Sequence, residues 1–202
     1  MSAAEEELDD YPTLEIFFEV LDEIEANMDD FTLGAEKRMT AAEKVEELDK
    51  DPLESQVGTE TFSAQDIDAC LKAHNKLRAL HGVVPLKWSN GCATHATAAA
   101  NQCVEKRELH HSNHDGQGQN AAWNYSSFKD ATDGWYDEIK LYDYKKPGYN
   151  MSTGHFTQVI WKGTTHVGMA KDTNGSGNYI IANYYPPGNC MGRFAEEVPP
   201  LS

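Results

Sequence analysis

Apolar residues recur at helical intervals before the middle of the chain and at alternate positions after it. Ser63-Ala64-Gln65-Asp66 has the form of a capping box, and Ile67, Leu71, Leu77 and Leu80 follow it at helical spacing. The helix so predicted stops at Gly82. After the extended run Val83-Val84-Pro85-Leu86, Ser89 caps a second predicted helix reaching about Glu108. Its alanines (Ala93, Ala96, Ala98, Ala99, Ala100) suit close packing. A polar, His-rich loop covers 109–119, and a third helix is predicted over 127–141, with Trp135 and Glu138 on one face. The period then changes to two. Residues 155–161, 166–171 and 179–184 read as strands, the last two joined by a hairpin turn at 172–177. On the first of them, alternation assigns His155, Thr157, Val159 and Trp161 to one face. Helices first and an antiparallel meander afterwards give an α+β fold, with the helices packed on the sheet.

Upstream, Leu14, Phe17, Phe18, Leu21, Ile24 and Met28 keep helical spacing among acidic residues, and Ala41, Val45 and Leu48 repeat the pattern weakly. Charge separates this part from the rest. The net charge is −16; residues 1–63 hold 20 of the 33 Asp and Glu with only four basic residues, and 64–202 are neutral. This predicts an acidic, partly helical or disordered arm over 1–61 and a folded domain over 62–202, with 51–58 as the linker region. An acidic arm repels nucleic acid and anionic membranes, which excludes both as its partners.

No run approaches the ~20 apolar residues of a transmembrane helix. Glu5, Glu6 and Glu7 occupy the place of a signal peptide's basic region, and residue 2 is Ser, not the Gly that myristoylation needs. Read as the true start, this predicts a cytosolic protein; an incomplete N-terminus leaves an extracellular one open. Four cysteines (Cys70, Cys92, Cys103, Cys190) are few for a secreted scaffold. Cys92 and Cys103, eleven residues apart on one helix and so about 16 Å apart along it, cannot pair there. No essential disulfide is expected. Sequons at Asn124, Asn150 and Asn174 point the other way, toward a secretory history.

Candidate chemistry gathers around His155, around the loop imidazoles His110, His111 and His114, and in the aromatic turn Tyr184-Tyr185-Pro186-Pro187-Gly188-Asn189. With these the chain resembles the CAP superfamily, the cysteine-rich secretory, antigen 5 and pathogenesis-related 1 proteins. The resemblance rests on His74-Asn75 with Arg78, Pro85-Leu86-Lys87-Trp88, His111-Ser112, Gly118-x-Asn120 and Trp135-Tyr136-x-Glu138. Two signatures complete it, one from Gly154 through Phe156, Thr157, Gln158 and Trp161 to Thr164, the other from Asn183 through Tyr184, Pro186 and Gly188 to Asn189. It implies a CAP-type α-β-α sandwich with a central antiparallel sheet, and a cavity lined by two His and two acidic residues. Carried over, these are His111, Glu138 and His155, with Gln119 standing where the family has Glu. A neutral amide there implies that any Zn2+ is bound weakly, and that no cofactor is required.

Ala182 replaces the Cys that secreted members carry in the second signature, so the chain is most similar to the Golgi-associated plant pathogenesis-related protein branch. That implies a cytoplasmic protein, or one peripheral on the cytosolic face of the Golgi or endomembrane. The function implied is a non-enzymatic binding module for a sterol or other lipid, a protein partner, or both. The aromatic, basic loop with Tyr142, Tyr144, Lys145, Lys146 and Tyr149 is the sterol-surface candidate. Two alternatives stand beside it. One is a divalent-metal hydrolase with zinc on His111 and His155 and Glu138 as base; the other is an interaction scaffold whose acidic arm recruits a basic partner.

Overall fold

The hydroxyl of Ser63 accepts the Asp66 N–H at 3.1 Å and gives its own proton to the Asp66 carboxylate at 2.7 Å. From this cap runs α1 (Ala64–Ala79). The computed structural model describes residues 50–58, 61–112, 116–173 and 177–202. The amphipathic segments expected at 13–28 and 40–48, His114 and Asn174 lie outside these residues. A short strand, β1 (Lys87–Trp88), follows, and Ser89 caps α2 (Asn90–Lys106) by accepting the Cys92 N–H. Asp51 braces the same helix start: its carboxylate accepts from the Ser89 hydroxyl at 2.7 Å and from the Gly91 N–H at 3.2 Å. Leu53 is buried beside it, so residues 51–53 pack on the domain.

Then come β2 (Gly118–Trp123), α3 (Phe128–Tyr136) with a 3-10 continuation over Asp137–Leu141, and α4 (Gly154–Val159). The chain ends with β3 (His166–Thr173), β4 (Asn178–Tyr185) and α5 (Phe194–Glu197). The sheet has the order β1-β3-β4-β2. Its three longer strands are antiparallel, and β1 pairs parallel to β3.

Alternation along β4 builds the layers. Ile180, Ala182 and Tyr184 face one way, into a core with Phe156, Trp161 and Trp135. Tyr179 and Ile181 face the other, against Ala96, Ala100 and Cys103 of α2. Small residues let α2 lie directly on the sheet: a Cβ on Gly168 would come within 2.2 Å of the Ala93 backbone nitrogen. All four cysteines are free thiols.

Two sequence expectations are corrected. Residues 154–159 form a helix, not a strand, so the alternating face of His155, Thr157, Val159 and Trp161 does not exist; the run Phe156–Trp161 is buried throughout. Conversely, the loop expected over 109–119 gives way at Gly118 to β2, which has no β-branched residue to announce it.

Candidate functional site

A helix of six residues is too short to form by its own propensity, and α4 is held from both ends. At its start Glu138 accepts three hydrogen bonds. Its Oε2 takes the N–H of His155 at 3.0 Å and of Phe156 at 3.1 Å, and its Oε1 takes His155 Nδ1 at 2.7 Å. At its finish the buried Arg78 guanidinium donates to the carbonyls of Val159, Trp161 and Thr164 at 2.9–3.0 Å, and to Val84 at 2.9 Å. A carboxylate at the N-terminus and a guanidinium at the C-terminus complement the helix dipole. Burial depresses the Arg78 pKa to about 10, which leaves it charged at neutral pH.

The imidazole of His155 is stacked over Trp135, with centroids 6.2 Å apart. Because Glu138 takes its Nδ1 proton, neutral His155 keeps the lone pair on Nε2. His111 is exposed, and its Nδ1 meets Gln119 Oε1 at 3.0 Å. The same oxygen accepts the Ser112 N–H at 3.1 Å, and Gln119 Nε2 donates to Ser112 Oγ and to Asn183 Oδ1, each at 3.0 Å. Gln119 thus fills all four of its hydrogen-bonding positions. Asn183 donates to Gln117 Oε1 at 2.8 Å, and Gln117 Nε2 reaches His95 Nδ1 at 2.7 Å.

The structure therefore pairs Glu138 with His155, and His111 with Gln119. His110 turns instead toward Cys103, with Nδ1 and Sγ 3.5 Å apart. Among the described residues, no group of three His, Cys, Asp or Glu side chains stands close enough to share a metal ion. Zinc sites use three or four protein ligands. Here both oxygens of Glu138 and the carbonyl of Gln119 are already engaged, and only two imidazole Nε2 atoms remain as donors. That set does not fit a resident zinc ion.

The signature residues clasp each other. Gln158 Oε1 accepts the Gly188 N–H at 3.0 Å, Thr157 Oγ1 donates to Asn189 Oδ1 at 2.6 Å, and Thr164 Oγ1 donates to the Pro186 carbonyl at 3.0 Å. Gly118 leaves room for this, since a Cβ there would lie 2.1 Å from Gln158 Oε1. Behind the clasp, Tyr184 OH bonds His74 Nε2 at 2.9 Å and accepts from Asn120, which also holds the His155 carbonyl. Of the loop candidates, Tyr142 is buried against Phe156, whereas Tyr144, Lys145, Lys146 and Tyr149 are exposed. Leu141 and Met151 extend the exposed apolar run.

Sequence reasoning did not find a groove of about 440 Å³ between the starts of α1 and α3 and the end of β3. Phe62, Ala69, Phe128 and Met169 line it, with Lys129 and Lys171 among its polar residues. It is assembled from four separated segments, so no local pattern announces it.

Comparison with known proteins agrees with this geometry. The family model for the cysteine-rich secretory protein (CAP) family matches residues 71–185. The chain belongs to the CAP family. The CAP domain is 38% identical over 146 residues to human Golgi-associated plant pathogenesis-related protein 1, covering 68% of this chain and 95% of that one. It is 43% identical over 132 residues to Protein PRY2 of Saccharomyces cerevisiae, covering 64% of this chain but only 40% of the yeast protein. In fold it resembles the solved structure of BmVAL-1, with TM-score 0.60 and 24% identity, over 72% of this chain and 87% of that one.

Proposed function

We propose that this CAP domain is a non-enzymatic carrier of a lipid, an acyl chain or a sterol, held in the groove between α1 and α3. The observation that carries the reading is the groove itself. Its volume of about 440 Å³ falls within the ~300–1,000 Å³ of small-molecule sites, and Phe62, Phe128 and Met169 give it an apolar floor within a wall that is otherwise mostly hydroxyl and charged side chains, Asp66 among them. Lys171 and Lys129 suit a hydroxyl or carboxylate head group, although Lys129 already pairs with Asp133. A hydrolase is poorly supported, because Glu138 already accepts three hydrogen bonds that hold the start of α4 and His155, which makes it a structural acceptor first.

The exposed loop of Tyr144, Lys145, Lys146 and Tyr149 is a candidate second surface for the same ligand or for a protein partner. The name of the human relative suggests a Golgi or endomembrane setting, and among the described residues no helix is long and apolar enough to cross a bilayer. We therefore favour peripheral attachment at the cytosolic face, with an extracellular location as the alternative.

Native mass spectrometry after incubation with palmitate or cholesterol tests the reading. Ala69→Trp narrows the groove from an exposed helix position and should cut loading at least tenfold, whereas Tyr144→Ala should leave it unchanged. The reverse pattern moves the site to the loop. No loading of either lipid by the unaltered protein ends the carrier reading.

A further inference from the structure

Three side chains, joined by four hydrogen bonds, connect His111 on one side of the domain to His95 on α2, and each bond in the chain has a fixed direction. Gln119 and Asn183 are register partners across β2 and β4. Gln117 immediately precedes β2, and its side chain reaches Asn183 from there. His95 approaches from α2. The links are His111 Nδ1 to Gln119 Oε1, Gln119 Nε2 to Asn183 Oδ1, Asn183 Nδ2 to Gln117 Oε1, and Gln117 Nε2 to His95 Nδ1.

A backbone amide fixes the polarity. The Ser112 N–H can only donate, so the group facing it must be the carbonyl oxygen of Gln119. His111 meets that same oxygen and must donate from Nδ1, which leaves the lone pair on Nε2. Gln119 has only N–H groups to offer Asn183, which is 1% exposed and so shielded from bulk solvent. An unmatched amide there is costly, so Asn183 presents its oxygen to Gln119 and its nitrogen to Gln117. Gln117 in turn presents its nitrogen to His95. The Nδ1 of His95 must accept, and the neutral ring carries its proton on Nε2.

We propose that Gln119 sets the tautomers of two histidines at once, His111 directly and His95 through Asn183 and Gln117. His95 is then the remote, positioned end of the polar unit that includes His111. The amide at 119 is essential to this arrangement. A carboxylate there would still accept from Ser112 and His111 but would have no proton for Asn183. The Asn183 amide would turn over to donate, Gln117 would turn over to match it, and the Gln117 oxygen would face His95. His95 would then carry its proton on Nδ1.

The test is nitrogen NMR of the full chain labelled with ¹⁵N-histidine, in mildly alkaline buffer where imidazoles are neutral. In the unaltered protein, Nδ1 of His95 and Nε2 of His111 should both show the resonance of an unprotonated ring nitrogen. In Gln119→Glu, His95 should change over almost completely to the Nδ1–H form while His111 stays as it is. Asn183→Asp provides the same reversal from the middle of the chain. It still accepts from Gln119 but forces Gln117 to turn, so it serves if the first variant does not fold. Combining either substitution with Gln117→Leu should abolish its effect on His95. An unchanged His95 tautomer in a folded Gln119→Glu or Asn183→Asp protein overturns the proposal, as does a reversal that persists without Gln117.

Discussion

Residues 141–152 and 153–161 are consecutive stretches of chain with opposite physical character. In the second, Thr153 and the run from Phe156 to Trp161 are buried, and the side chains of Thr157 and Gln158 are bonded to the turn at 188–189. In the first, Tyr142 is buried, while Leu141, Tyr144, Tyr149 and Met151 are exposed; Met151 keeps 85% of its surface. The residues that carry the family signature are thus committed to holding a turn in place. Of the neighbouring aromatic residues, Tyr142 belongs to the core, while Tyr144 and Tyr149 touch Tyr142 and Phe194 and keep an exposed side available for recognition. Here a signature motif reports architecture more directly than chemistry.

That contrast can be attacked with mutations. The largest effect should come from Arg78→Met, which leaves the buried carbonyls of Val159, Trp161 and Thr164 without their donor. At about 1–3 kcal/mol for each unsatisfied group, and with partial relaxation, a loss of about 4 kcal/mol or more is expected in urea unfolding. A loss below about 1 kcal/mol would mean that α4 does not depend on its far-end clamp.

Acid should expose the same buried network. Burial lowers the pKa of His74 from 6.5 to about 4. Between those values the unfolded chain takes up a proton that the folded protein refuses, so stability falls as pH drops through that window. His74 alone contributes about 3 kcal/mol of this loss by pH 4. The pH dependence should flatten in His74→Phe, compared at matched urea midpoints. A slope unaltered by the substitution would assign the acid sensitivity to other groups, with His81 and His166 next in line because burial lowers them too.

Glu138→Gln should cost less, about 2 kcal/mol, because one amide oxygen can still accept from the helix while the amide nitrogen faces a donor. On the other side of the comparison, Lys145→Ala should change stability by less than about 0.5 kcal/mol in the same assay, and Tyr144→Ala, which gives up an edge contact with Tyr142, by about 1 kcal/mol. A larger loss from either would show that the loop is part of the scaffold after all.

Much of the architecture is legible in the sequence. The starts of α1 and α2 are marked by Ser63 and Ser89, whose hydroxyls make the capping bonds that residue type suggests. The strands β3 and β4 show as short apolar runs on either side of a turn, because each has a core on either face. Residues 154–161 misled because their helix has no local cause. Phe156, Val159 and Ile160 would suit a strand as well, and the deciding groups, Glu138 and Arg78, lie outside the segment. The site was legible to the same extent. His111, Gln119, Glu138 and His155 could be named from their motifs, but the way they pair could not. Gln117, Asn183 and His95 were missed because they form one chain only once β2 is known to be a strand in register with β4.

Gly168 lies so close beneath Ala93 that the seam between α2 and the sheet has no depth in which to absorb a larger residue. Descendants of this sequence can drift along that helix in one direction only. Ala93, Ala96, Ala100 and Cys103 look inward, while Ala98, Asn101, Gln102 and Glu105 look out. A lineage could repaint the outer edge repeatedly, changing the surface a neighbour meets, while the scaffold beneath registered nothing.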